Sequence, residues 1–177
     1  MTEAATDGRI DVAAFDRAEM AEAAVLLAPC CASRRWIDRL VGSRPHGSLD
    51  ALTVASNAAI AELGWADIEQ ALAAHPRIGE RAQGVDREST WSRQEQSAAV
   101  TPEVATQEAV RARNLDYEQR FGHAFLICAT GKSADDILAA LTRRLDNAPA
   151  AEREIVRSEL TQIVRLRLAK TFSDNVG

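Results

Sequence analysis

Apolar residues recur every three or four positions through most of the chain, the interval at which side chains share one face of an α-helix. Prolines, glycines and capping residues divide this pattern into segments. Helices are predicted at about 16–28, 33–41, 48–63, 65–74, from 92 onward, 101–121, 133–145 and 152–172. The expected fold is all-α, a single-domain helical bundle of about eight helices that occupies residues 1–177, with residues 1–10 as a flexible lead.

Local start and stop signals sharpen several of these boundaries. The tetrapeptide from Asp16 to Glu19 has the form of a capping box, in which side chains bond the free amides of the first turn. Ser48 and Ser133 are predicted N-caps, because their hydroxyls can accept hydrogen bonds from those amides. Gly64 is expected to end the 48–63 helix in the left-handed conformation that glycine adopts at little cost.

Two segments depart from the helical pattern. Residues 76–90 are polar, contain two glycines and show no periodicity, so a long loop is predicted, of the kind that often carries function. The five residues Phe125–Ala129 are all apolar, and this run is too short to be classified by periodicity. We expect this run, called the apolar segment below, to be buried.

Composition narrows the class of protein. Hydrophobic residues make up 46% of the 177 residues and charged residues 27%, values typical of a globular domain. The net charge of −5 opposes general binding to nucleic-acid phosphates. No apolar run reaches the roughly 20 residues that span a bilayer, so no membrane partner is expected. The three cysteines lack a CxxC motif, which predicts neither a disulfide framework nor a zinc site and favours the cytoplasm.

His75 is the first candidate for chemistry, because an imidazole with an ordinary pKa near 6.5 gains or loses a proton at neutral pH. It stands where the 65–74 helix ends and the polar loop begins. A structural role is the alternative. A histidine at a helix C-terminus can donate to the last carbonyls and is favoured by the helix dipole.

Two further charged residues have both a functional and a structural interpretation. Glu95 lies three residues after Ser92, so its carboxylate is also placed to complete a capping box. Arg167 falls within the apolar stripe of the last helix. The stripe comprises Val156, Leu160, Ile163 and Val164. Because a guanidinium stays charged and is costly to bury alone, we expect Arg167 to meet an internal carboxylate or a ligand anion, or else to extend to the surface.

The motifs do not favour metal, nucleotide or hydrolase chemistry. His46, His75 and His123 share no i, i+4 spacing, although catalytic zinc sites normally show such a local pair. The sequence contains no GxGxxG, Walker or GxSxG motif. Cys128 lies in the apolar segment, which should raise the pKa of its thiol and keep it inert. A metal site is therefore not predicted, and nucleotide binding and hydrolase chemistry lack support.

Five motifs in sequence order resemble the 2-oxo-4-hydroxy-4-carboxy-5-ureidoimidazoline (OHCU) decarboxylases of urate degradation. They are His75-Pro76-Arg77-Ile78-Gly79, Ser92-Arg93-Gln94-Glu95-Gln96-Ser97, Asn114-Leu115-Asp116-Tyr117-Glu118-Gln119-Arg120-Phe121-Gly122, Phe125-Leu126-Ile127-Cys128-Ala129 and Leu166-Arg167-Leu168. Each motif alone is weakly specific, but together they cover nearly the whole chain. The resemblance implies an all-helical carboxy-lyase, usually a homodimer, that converts OHCU to (S)-allantoin and carbon dioxide without a cofactor.

The resemblance also implies roles for individual residues. His75 corresponds to the proton-donating histidine of the family, Glu95 to its catalytic carboxylate and Arg167 to its active-site arginine. The stretches that correspond to substrate-contacting parts are Pro76, then Ser92, Arg93, Gln94, Glu95 and Gln96, and then Phe125, Leu126, Ile127, Cys128 and Ala129. The chain departs from the family pattern at His123-Ala124, where an apolar residue and a proline are usual. This departure makes His123 an additional candidate pocket residue.

A non-catalytic helical domain that binds a metabolite or another protein is the alternative function. A third interpretation, a zinc hydrolase that uses the histidines, predicts loss of activity on chelation, which we do not expect. The three interpretations differ in whether the protein turns OHCU over and in whether turnover needs a metal.

Overall fold

The computed structural model describes residues 8–75, 77–78 and 104–174. This part of the chain contains eight helices and one two-stranded sheet. The helices are α1 (Val12–Arg17), α2 (Met20–Leu27), α3 (Arg34–Gly42), α4 (Leu49–Ala61), α5 (Trp65–Ala73), α6 (Val104–Phe121), α7 (Ala134–Arg144) and α8 (Pro149–Thr171). The predicted all-helical class is confirmed, and no helix among the described residues is long and apolar enough to cross a membrane.

The one sheet is very short and was not predicted. Strand β1 (Ile10–Asp11) pairs in parallel with strand β2 (Phe172–Ser173), with Ile10 opposite Phe172. Ile10, within the predicted flexible lead, is therefore paired with a strand. Helix α1 follows β1 directly, and the Asp11 side chain accepts from the amide of Ala13 at 3.2 Å. Elements of two and six residues are too short for a periodic pattern to reveal.

Several predicted helix boundaries are confirmed at the level of the capping atoms. The Ser48 hydroxyl accepts from the amide of Ala51 at 3.1 Å, where α4 begins. The Ser133 hydroxyl accepts from the amide of Asp136 at 3.1 Å, and the Asp136 carboxylate accepts from the amide of Ser133 at 2.9 Å. These reciprocal bonds form a capping box that satisfies two free donors at the start of α7.

Two predicted caps are wrong. The Asp16 carboxylate caps no helix but accepts from the amides of His46 at 3.0 Å and Gly47 at 2.8 Å, which ties a distant loop to α1. Helix α2 instead begins after Glu19 without a side-chain cap. Gly64 has a φ of −69° and is the N-cap of α5, because α4 has already ended at Ala61.

The chain forms two compact units. One comprises 1–63 with 164–177, and the other comprises 64–163. In the first unit, Phe15 and Phe172 pack edge to face with ring centroids 5.2 Å apart, and the Trp36 indole donates to the Ser56 hydroxyl at 3.1 Å. Both aromatic contacts lie in its buried core. That residues 1–177 form a single domain stays a prediction.

The second unit has its own core between α6, α7 and the apolar segment. The buried members are Tyr117, Phe125, Ile127, Ala129, Ile137, Ala140 and Leu141, and Ile78, Phe121 and Leu145 pack against them. The predicted burial of the apolar segment is confirmed, since each of its five residues is at most 6% exposed. The helix predicted from residue 92, the helix start at 101–103 and residues 79–90 of the predicted loop lie outside the described residues.

Candidate active site

His75 lies immediately beyond α5, as the sequence predicts. Helix α5 ends at Ala73, and the amide of His75 donates to the carbonyl of Leu72 at 2.9 Å. The residue is half-buried, so the imidazole is partly shielded from water. In the sequence a proline follows at position 76, and a proline is a poor continuation of a helix.

A cleft of about 460 Å³ lies beside His75. Its lining residues are Leu72, Ala73, His75, Arg77, Glu118, Gly122, His123 and Ala124. A volume of a few hundred Å³ is typical of sites for small organic ligands. The lining combines two imidazoles, a cation and a carboxylate with small apolar residues. Such a lining can bind a polar heterocycle and exchange protons with it.

Arg77 and Glu118 form a two-pronged ion pair at the edge of this cleft. The guanidinium donates to both carboxylate oxygens of Glu118, with an Nη2–Oε2 distance of 2.8 Å. Next to it, the amide group of Asn114 donates to the carbonyl of Ile78 at 2.9 Å. Both bonds fix residues 77–78 against α6. The hydrogen bond from Arg77 holds the pKa of the Glu118 carboxyl below its usual range, against the opposing effect of burial.

Replacing Arg77 by methionine is expected to make unfolding less dependent on pH. Because the pKa of Glu118 is lowered in the folded state, the stability it contributes is fully present above the ordinary value of 4.5 and is lost as the pH falls through the lower folded value. Arg77 is 47% exposed, so we expect an effect below about 1 kcal/mol. Urea titrations between pH 3 and pH 7 would measure it.

The matched control for this prediction is Arg113→Met. Arg113 lies on α6 and pairs with Asp116 at 3.4 Å, with both side chains about half exposed. We expect its pH dependence to equal that of the unaltered protein. If Arg77→Met also unfolded with an unaltered pH dependence, the ion pair with Glu118 would not stabilise the fold.

His123 reaches the cleft because Gly122 ends α6 with a φ of +77°, a left-handed conformation that favours glycine. The imidazole packs edge-on against Trp65 at 4.9 Å and Tyr117 at 5.4 Å. Its Nδ1 atom lies 3.1 Å from the carbonyl oxygen of Ala124. The departure from the family pattern therefore places a second imidazole in the lining of the His75 cleft.

The apolar segment follows directly after Ala124 in the chain. It has neither helical nor strand structure, and charged side chains bind its peptide groups. Arg144 donates to the carbonyl of Leu126 and Lys132 to that of Cys128, each at 2.8 Å. The Glu159 carboxylate accepts from the amide of Cys128, also at 2.8 Å. Cys128 is buried, as expected.

A buried ion pair between Arg144 and Glu152 contacts the apolar segment. Arg144 binds Glu152, with an Nε–Oε1 distance of 2.8 Å, and its guanidinium lies 4.4 Å from the centre of the Phe125 ring. Glu152 is fully buried and also accepts from the hydroxyl of Tyr117 and, at 2.8 Å, from Asn147. Burial, together with the bond to Glu152, raises the pKa of Tyr117, so its hydroxyl remains a donor. No local sequence signal predicts this network, whose members lie far apart in the chain.

Arg167 is fully buried on α8. The four apolar residues of the predicted stripe, Val156, Leu160, Ile163 and Val164, are also buried. Extension to the surface, the third alternative for Arg167, is therefore excluded. Arg167 belongs to the first compact unit and His75 to the second. Its role as an active-site arginine stays a prediction.

Six predicted site residues lie outside the described residues. They are Pro76, Ser92, Arg93, Gln94, Glu95 and Gln96. The approach of Glu95 to His75, and the choice between a capping and a catalytic role for Glu95, therefore stay predictions. Among the residues that are described, no three histidine, cysteine, aspartate or glutamate side chains come together as a group that could hold a metal ion.

An all-helical fold with a half-buried histidine beside a small cleft defines the class of a helical protein with a candidate acid/base site. The family profile described as OHCU decarboxylase matches residues 16–169. The chain belongs to the OHCU decarboxylase family.

Individual relatives agree with this assignment. The chain is 33% identical over 141 residues to an OHCU decarboxylase of Haloferax volcanii, which covers 78% of this chain and 82% of that protein. It is 33% identical over 149 residues to the uric acid degradation bifunctional protein TTL of Arabidopsis thaliana, covering 82% of this chain. The chain spans 46% of the length of that bifunctional protein.

Two solved structures share the fold. A crystal structure of OHCU decarboxylase in the presence of (S)-allantoin is 29% identical, with a TM-score of 0.70, over 86% of this chain and 97% of that chain. A crystal structure of (S)-allantoin synthase is 19% identical with a TM-score of 0.66, over 92% of this chain and 54% of that chain. At that identity, the second likeness concerns the fold alone.

Proposed function

We propose that the protein catalyses the decarboxylation of OHCU to (S)-allantoin and carbon dioxide in urate degradation, without a cofactor. Membership of the OHCU decarboxylase family supports the reaction. The observation that carries the proposal is the position of His75, a half-buried imidazole in the lining of a cleft large enough for one heterocycle. This is the residue that the family resemblance assigns to proton donation.

The chemistry needs little from the protein except binding and proton transfer. In OHCU the carboxylate is attached to the carbon next to a ring C=N bond. When the bond to carbon dioxide breaks, its electron pair forms a C=C bond, and the π electrons of the C=N bond move to nitrogen, which takes a proton. The resulting enol then loses its hydroxyl proton and gains one at carbon. Protonation from one face would give a single enantiomer of allantoin.

The proposed roles follow from this sequence of proton transfers. His75 and Glu95 handle the hydroxyl proton and deliver a proton to one face of the ring, and Arg167 orients an anionic or carbonyl group of the substrate. The apolar segment excludes water from one side of the site, which favours loss of the charged carboxylate. Its substrate contacts, like those of Pro76 and residues 92–96, are part of the proposal.

An assay with fresh substrate tests the function. OHCU made in place from urate, by uricase and the hydrolase that follows, is expected to disappear faster with the protein than without it, at a rate proportional to protein concentration. The absorbance of OHCU would measure its concentration over time. Activity should survive dialysis against a chelator, since no metal step is proposed. If the protein bound OHCU but did not accelerate its decay, the alternative of a metabolite-binding domain would be favoured.

We also propose that the protein is a homodimer and acts in the cytoplasm, without nucleic-acid or membrane partners. Both proposals rest on the family resemblance and on the composition of the chain. Light scattering would test the first: the expected native mass is twice the chain mass of 19.2 kDa, and a monomer at assay concentrations would contradict it. Fractionation of the source cells would test the second.

A further inference from the structure

Three charged side chains from different parts of the chain bind the peptide groups of the apolar segment. Arg144 at the end of α7 holds the carbonyl of Leu126. Glu159 on α8 holds the amide of Cys128, and Lys132, in the turn before α7, holds the carbonyl of the same residue. All three donor–acceptor distances are 2.8 Å. Cys128 is therefore held by a carboxylate on its amide and by an ammonium group on its carbonyl.

These charged side chains do more than supply hydrogen-bond partners to buried peptide groups, because they also fix where the backbone lies. Buried peptide groups need hydrogen-bond partners, and a strand or helix would supply them from other peptide groups. The apolar segment lies in no helix or strand. The amide of Lys132 donates to the carbonyl of Ala129 at 3.0 Å, whereas Leu126 and Cys128 bind charged side chains, whose hydrogen bonds are shorter and stronger than those between neutral groups. The position of this backbone is thus set by side chains anchored on two helices and a turn.

We propose that Glu159 and Lys132 are positioning residues of the active site, which act on the substrate through the peptide groups of Cys128. The inference rests on the proposed function, because it takes the apolar segment to face the substrate. Glu159 and Lys132 themselves contact the backbone. If the hydrogen bonds from Glu159 and Lys132 to Cys128 are lost, the apolar segment shifts. A shift of about 1 Å at a reacting site can cost about 100-fold in rate.

The test compares four variants with the unaltered protein. Glu159→Ala removes the acceptor, whereas Glu159→Gln keeps an acceptor oxygen at the same position. Lys132→Met removes the donor but keeps most of the side-chain stem. Glu154→Ala is the matched control, since Glu154 lies on the same helix as Glu159, is 72% exposed and pairs with Arg157 at 3.6 Å. Each variant is assayed for KM, kcat and the enantiomeric excess of allantoin, with the folded fraction measured by circular dichroism.

We expect Glu159→Ala and Lys132→Met to lower kcat/KM by about 10- to 100-fold per folded molecule, with a raised KM and a lower enantiomeric excess. Glu159→Gln should recover most of the loss, and Glu154→Ala should match the unaltered protein. An unaltered KM and enantiomeric excess in the folded molecules of Glu159→Ala and Lys132→Met would overturn the proposal, even if those variants were less stable. An inactive unaltered protein would instead overturn the proposed function.

Discussion

His75→Asn is expected to lose at least about 100-fold in kcat, because positioned acid/base groups contribute about 10² to 10⁴ in rate. Asparagine is polar and of similar size, but it cannot exchange a proton at neutral pH. The amide of residue 75 still donates to Leu72, so we expect the free energy of unfolding to change by no more than about 1 kcal/mol. Initial rates of OHCU loss, with urea unfolding of the same samples, would measure both.

The matched control is His46→Asn. His46 is also half-buried, but its Nε2 atom lies 3.0 Å from the carbonyl of Leu40 in the other compact unit, and it does not line the His75 cleft. We expect its turnover per folded molecule to equal that of the unaltered protein. Equal turnover in His75→Asn and His46→Asn would assign His75 the structural role that a helix C-terminus also allows.

Arg144→Met is expected to lower the free energy of unfolding by about 3–5 kcal/mol, the cost of leaving a buried charge without its partner. Glu152 is fully buried, and it pairs with Arg144, with an Nη2–Oε1 distance of 2.6 Å. The variant also frees the carbonyl of Leu126 and the face of the Phe125 ring. Urea titration at pH 7 gives the free energy of unfolding directly.

Two further variants show whether the uncompensated charge causes this loss. Arg39→Met breaks the exposed pair with Glu62, in which both side chains are about half exposed, and should cost less than about 1 kcal/mol. The double change Arg144→Met with Glu152→Met removes both buried charges and should recover part of the loss. A single variant at Arg144 that is as stable as Arg39→Met would contradict the interpretation.

The helices could be predicted from the sequence because their signals are local. Ser48 and Ser133 cap the helices they were expected to cap, and the position of His75 follows from the end of one periodic segment. Asp16 was assigned wrongly for the same reason. Its carboxylate can accept hydrogen bonds either from the first turn of a nearby helix or from the amides of residues 46 and 47. Local sequence does not distinguish the two, and the folded chain has the second arrangement.

The parts that sequence patterns did not reveal depend on contacts between residues far apart in the chain. Arg77 meets Glu118 across 41 positions, and Tyr117 meets Glu152 across 35. No local sequence rule assigns any of these residues its partner. The charged contacts of the apolar segment could not be predicted either, because Arg144 and Glu159 lie far from it in the chain. The burial of the segment was predicted correctly.

The candidate site was predictable only in part. Histidine chemistry and a helix end indicate His75, and the apolar stripe indicates Arg167, although burial was only one of the outcomes left open for that arginine. Neither pattern names a reaction, because the same imidazole serves many chemistries. The reaction came from the resemblance to the OHCU decarboxylases, a family to which the chain belongs. The partners proposed for His75, above all Glu95, remain predictions.

The enantiomeric excess of newly formed allantoin, followed by circular dichroism as OHCU decays, tests the central claim most directly. The account predicts an excess of (S)-allantoin that grows with the concentration of the unaltered protein and disappears in His75→Asn, where spontaneous decay gives a racemate. A racemic product at the spontaneous rate from the folded, unaltered protein would contradict it.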